Sequence, residues 1–129
     1  MIDPRVEIGH VHLKVADLER SLRFWRDILG FEVQARLGDE AAFLSAGGYH
    51  HHIGLNTWES RGGQPPRAGT TGLYHVAIRY PDRGALANAV RGVVQAGVRL
   101  DEETMTTGGR RTASRSCASG PDQPIRAFS

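Results

Sequence analysis

Near the start of the chain apolar and polar residues alternate: Val11, Leu13 and Val15 are separated by His12 and Lys14, with His10 ahead of them. Successive side chains of a strand point to opposite faces, so this spacing predicts a half-buried strand. The period then changes. Leu18, Leu22, Trp25 and Leu29 recur at helical spacing, Asp17 is placed to cap the helix, and Gly30 to end it. Phe31-Glu32-Val33 then opens another strand.

The same order returns further along. Val76, Ile78 and Tyr80 alternate with His75, Ala77 and Arg79, the run ends at Asp82, and Leu86, Ala89, Val90, Val93 and Val94 follow at helical spacing. Gly97 ends that helix and leads into Val98-Arg99-Leu100. A twofold repeat of strand, helix and strand therefore extends to Leu100. A module this short cannot bury its own sheet face, so the copies are expected to pack together or with a partner.

Between the copies the pattern predicts a meander. Gly38-Asp39 turns the chain, 41–46 forms a short strand, Gly47-Gly48 turns it again, and 49–58 forms a longer strand. The run from Arg61 to Gly69, rich in Gly and Pro, reads as a linker in which Pro65-Pro66 acts as a stiffener. The expected organisation is a first βαβββ module at 1–60, a linker at 61–72 and a second module begun at 73–103. An atypical, irregular tail at 104–129 completes it, because no alternating apolar run follows Glu102. The fold class is α+β, with paired βαβββ modules of which the second is incomplete.

Composition narrows the function classes. The 129 residues are 40% hydrophobic, enough for a core, and no apolar run approaches the ~20 residues of a membrane span. The opening Met1-Ile2-Asp3-Pro4-Arg5 does not read as a signal peptide, and a single cysteine, Cys117, cannot form an internal disulfide. A cytoplasmic protein is expected. The formal charge is only +2 and Lys14 is the sole lysine, without the basic face and interleaved aromatics of a nucleic-acid reader. Neither nucleic acid nor membrane is an expected partner. Trp25 and Phe31 are expected in the core, and Trp58 against either a pocket or a dimer contact.

The histidines carry the candidate chemistry. If Val11, Leu13 and Val15 face the helix, then His10 and His12 face the other side; His75 falls at the matching place in the second copy. In a regular strand over 49–58, His50, His52, Gly54 and Asn56 share one face and His51 the other. Five of the six histidines, all but His51, then line one surface. Neutral imidazole suits Fe, Zn, Ni and Cu, so His10 and His75 are candidate metal ligands, with solvated surface histidines the plainer reading. His52 is a candidate acid or base on residue type, with a hydrogen bond inside the sheet as the alternative role.

The stretch from Ile8 to Ser21, continuing through Phe24-Trp25-Arg26-Asp27-Ile28-Leu29-Gly30-Phe31-Glu32, resembles the opening of a vicinal-oxygen-chelate module. Residues 42–58, with His50-His51-His52-Ile53-Gly54-Leu55-Asn56-Thr57-Trp58, and residues 69–78 resemble the catechol 2,3-dioxygenase-like branch of the glyoxalase/bleomycin-resistance superfamily. The resemblance implies paired modules curved into a cup around a divalent metal. It implies that His10 and His75 are ligands and that His52 acts on bound oxygen or substrate. In that chemistry Fe(II) holds a catecholate and O2 together and the ring opens beside the diol. One departure is large: in Gly120-Pro121-Asp122-Gln123-Pro124-Ile125-Arg126, Arg126 stands where the family places its third ligand, a glutamate. A guanidinium cannot ligate a cation. Glu102 and Glu103 are substitutes off the expected strand, and the tail after about Glu103 reads as a diverged end or an altered reading frame.

The expected function is an extradiol-type dioxygenase of aromatic catabolism. It would use Fe(II), or alternatively Mn(II) or no metal, with small aromatic substrate and O2 as partners. His12, His50 and Asn56 would line its substrate pocket, and a homodimer is the expected assembly. A metal-free small-molecule-binding module and a glyoxalase-like lyase are the alternatives.

Overall fold

The computed structural model describes residues 1–100 and the backbone of 125–128. Two compact units divide it, Met1–Gly63 and Gln64–Ser129.

The first unit is a βαβββ module. Strand β1 is Val11–Lys14, helix α1 is Leu18–Leu22, and a π-helical turn, Arg23–Ile28, carries the helix on. Strands β2 (Glu32–Leu37), β3 (Ala41–Ser45) and β4 (Ile53–Asn56) follow. They form one mixed sheet in the order β1-β4-β3-β2, with β1 parallel to β4 and the other pairs antiparallel. Asp17 caps α1 as its position predicts: its side chain accepts from the Arg20 backbone N–H at 2.9 Å, satisfying one of the donors a helix start leaves free. In the π turn the Leu29 N–H reaches back five residues to the Phe24 carbonyl at 3.0 Å. The chain then turns at Gly30, whose φ of 84° favours glycine.

Apolar residues from both layers close the core of this unit. Leu13 of β1 and Val15 just after it, Leu22, Phe24 and Trp25 of the helix, and Leu44, Ile53 and Leu55 of the inner strands are all buried. Each fully buried side chain of this size contributes about 1.5–3 kcal/mol relative to exposure. Every residue of β4 is buried, as its place between β1 and β3 requires. Trp25 packs edge-on against half-buried Phe31 at 5.7 Å.

The strand expected over 49–58 is only four residues long. Gly47 and Gly48 turn the chain with φ of 71° and 76°, and residues 49–52 approach as a loop. Pairing begins only at His52, whose N–H donates to the Leu44 carbonyl at 2.8 Å and whose carbonyl accepts from Val11 N–H at 3.0 Å. Strand alternation therefore does not govern the three consecutive histidines.

In the second unit β5 is Val76–Arg79, α2 is Arg83–Gln95 and β6 is Ile125–Phe128. Asp82 caps α2 by accepting from the Ala85 backbone N–H at 2.8 Å, and Leu86 and Val93 are its buried residues. The strand expected at 98–100 does not form. Val98 N–H instead donates to the Val93 carbonyl at 3.2 Å and closes the helix end, and no strand among the described residues pairs with this segment. The tail, read as irregular, supplies β6. It lies parallel to β5 with Val76 opposite Ile125 and Ala77 opposite Arg126, a register that matches Val11 opposite Ile53 and His12 opposite Gly54 in the first unit. Glu102, Glu103 and Cys117 lie outside the described residues.

A candidate histidine site in the first unit

His10 immediately precedes β1 and His12 lies within it, so the strand's period of two places both on one side. The loop at 49–52 brings His51 onto them. His51 lies with its ring centroid 4.4 Å from that of His10 and 5.3 Å from that of His12. The Nε2 atoms of His12 and His51 are 3.2 Å apart. His50 stands next in line, its Nδ1 2.8 Å from Nδ1 of His51 and its ring 5.6 Å from that of His10. His10, His12 and His51 each offer a nitrogen within 4.8 Å of the others, so the three can hold a metal ion.

The surroundings fit that role. Shielding of the His51 ring, followed by the charges of His10, His50 and His12, holds its pKa below the ordinary imidazole value. The neutral form, which carries a free lone pair, is thereby favoured. Phe43 of β3 forms one wall, its ring 5.1 Å from that of His51 and 5.9 Å from that of His12. His12, Gly54 and Phe43 lie on three adjacent strands in one cross-strand row, and residues so aligned share a face of the sheet. The Lys14 ammonium, on the same face as His12, is ion-paired with Glu59.

The remaining sequence candidates are placed differently. Nδ1 of His52 accepts from the Ala46 backbone N–H at 3.3 Å, and its ring stacks on Tyr49 with centroids 4.6 Å apart. Asn56 is buried at the end of β4, where its carbonyl accepts from Val15 N–H at 2.8 Å. His75 lies in the second unit directly before β5. Its Nδ1 is shielded from solvent with no hydrogen-bond partner among the described residues, as a nitrogen reserved for another group would be. The structure thus brings together His10, His12, His50 and His51. A regular strand over 49–58 would turn His51 away from this group, and the residue pattern alone does not single out Phe43. The row shared with His12 and Gly54 is the signal that finds Phe43, and it exists only once the strand register is known.

A family model for the glyoxalase/bleomycin resistance protein/dioxygenase superfamily matches residues 7–123. The chain belongs to that superfamily. Among proteins of known activity it is similar to catechol-2,3-dioxygenase of Bacillus subtilis (strain 168), at 41% identity over 96 residues. That match covers 74% of this chain and 34% of the relative, so the chain spans about a third of the relative's length. Solved superfamily structures share the α+β fold. A glyoxalase/dioxygenase from Nostoc punctiforme is 20% identical with a TM-score of 0.63, covering 85% of this chain and 84% of that one. A glyoxylase/bleomycin resistance protein/dioxygenase domain from Frankia sp. EAN1pec is 26% identical with a TM-score of 0.58, covering 73% and 76%. Among the described residues, no helix is long and apolar enough to cross a membrane.

Proposed function

We propose that this superfamily member is a divalent-metal-dependent, extradiol-type dioxygenase of catechol-like aromatics. The observation that carries the reading is the cluster of histidines walled by Phe43, in a chain 41% identical over 96 residues to a catechol-2,3-dioxygenase. His10 and His75 are the proposed ligands, with Fe(II) as the ion and Mn(II) as its substitute. The unpartnered Nδ1 of His75 supports that assignment. Once bound, the metal would hold diol and O2 side by side and pass electron density between them.

The chain's own residues bind and manage protons. Phe43 offers an apolar wall for the aromatic ring. His12, His50 and Asn56 are the proposed polar residues of the substrate side. Because Nδ1 of His52 accepts from Ala46 N–H, the proton of the neutral ring sits on Nε2. His52 therefore presents an N–H at Nε2, suited to donating a hydrogen bond to a developing oxyanion. Tyr49 stacked against it holds the ring plane.

Arg126 in β6, where a carboxylate ligand is expected, favours a second reading: a binding module that holds an aromatic without chemistry. Oxygen consumption separates the two. The Fe(II)-loaded chain is expected to take up one O2 per catechol and release a ring-opened product containing both oxygen atoms, and the chelator-treated chain none. Catechol binding with no oxygen uptake in either would reject the dioxygenase reading in favour of the binding module.

A further inference from the structure

We propose that the first unit by itself contains a complete three-histidine site for a late first-row divalent ion of the Zn(II) type, formed by His10, His12 and His51 with His50 as outer partner. It needs neither His75 nor β6, and it stands independently of the ring-cleavage reading.

The geometry supports this in three ways. Tetrahedral zinc at Zn–N distances of 2.0–2.1 Å sets its nitrogen ligands about 3.3 Å apart; the His12 and His51 Nε2 atoms stand at 3.2 Å. Two bare imidazole nitrogens at that distance must share a proton, whereas an ion between them uses both lone pairs. Next, with Nε2 of His51 as ligand, its proton resides on Nδ1, which faces Nδ1 of His50 at 2.8 Å. A ligating imidazole characteristically donates its other N–H to an outer partner that fixes tautomer and ring orientation. His50 is placed for that role. Finally, all four histidines belong to Met1–Gly63, and three imidazoles leave zinc a fourth position open for water or a small anion.

His10 is common to this set and to the His10–His75 pair, so one ion at a time can use it. Arg126 has no part in the three-histidine set.

The test uses the full chain, stripped with a chelator and titrated with Zn(II) against a chromophoric competitor, with Co(II) as a spectroscopic stand-in. The unsubstituted chain and His75→Ala are both expected to bind about one Zn(II) per chain, and the Co(II) complex to show the intense absorption of four-coordinate geometry. His12→Ala and His51→Ala are expected to lose the site. His50→Ala is expected to weaken it by about 10- to 100-fold, the usual effect of removing an outer partner. Circular dichroism checks that each variant is folded, and His12→Gln and His51→Gln replace any alanine variant that is not. Loss of Zn(II) in folded His75→Ala, retention in folded His12 and His51 variants, or no binding by the unsubstituted chain would each overturn the proposal.

Discussion

The imidazole of His12 lies directly over Gly54: a Cβ at Gly54 would stand 2.8 Å from both Cδ2 and Nε2 of that ring. Any side chain at 54 must push the ring aside. Gly54→Ala is expected to leave the β1–β4 ladder in place while lowering Zn(II) affinity about 10-fold or more, the scale seen when a ligand's orientation is lost. Competitive titration measures this. Unchanged affinity would mean that His12 does not ligate where it stands.

Phe43 is the apolar wall of the cluster. An aromatic pair contributes about 0.5–1.5 kcal/mol beyond its buried area. Phe43→Ala is therefore expected to weaken catechol binding about 2- to 10-fold with the metal content unchanged. Parallel titrations of catechol and metal separate these two quantities.

Leu22 is fully buried between the helix and the sheet of the first unit. Leu22→Ala leaves a cavity as well as losing transfer energy, and is expected to cost about 2–5 kcal/mol. Both tryptophans, Trp25 and Trp58, belong to the first unit. Denaturant unfolding followed by tryptophan fluorescence therefore reports on that unit directly.

The cap of α1 gives a pH signature. The backbone hydrogen bond from Arg20 holds the Asp17 carboxyl below the ordinary aspartate value, with the nearby arginine charges adding to it. A carboxyl with a depressed folded-state pKa contributes stability above its unfolded value, and loses it as pH falls through the folded one. Asp17→Asn keeps a capping oxygen but removes the titration. Between pH 5 and pH 3 the melting temperature of the unsubstituted chain should fall more steeply than that of Asp17→Asn. Equal slopes would contradict the cap.

Local features of this fold were legible in the residues themselves. Alternation around His10 and His75 marks β1 and β5, and Asp17 and Asp82 both cap the helices that follow. Features that depend on distant partners were not. Ile125-Arg126-Ala127-Phe128 carries no strong period and becomes a strand only by lying beside β5. Val98 has strand character but gives its N–H to the end of α2. His51 joins the cluster because β3 ends at Ser45 and the Gly47-Gly48 turn leaves 49–51 free of the ladder, which His52 rejoins. A face assignment by alternation fails wherever a strand is shorter than its apolar run suggests.

Dependence on iron tests the proposed function most directly. The unsubstituted chain and His10→Ala would be reconstituted anaerobically with Fe(II), freed of excess metal, and mixed with catechol in an oxygen electrode. About one iron per chain with matching oxygen uptake, both lost in His10→Ala, is the predicted result. Absence of specific iron, or oxygen uptake that His10→Ala retains in full, would contradict it.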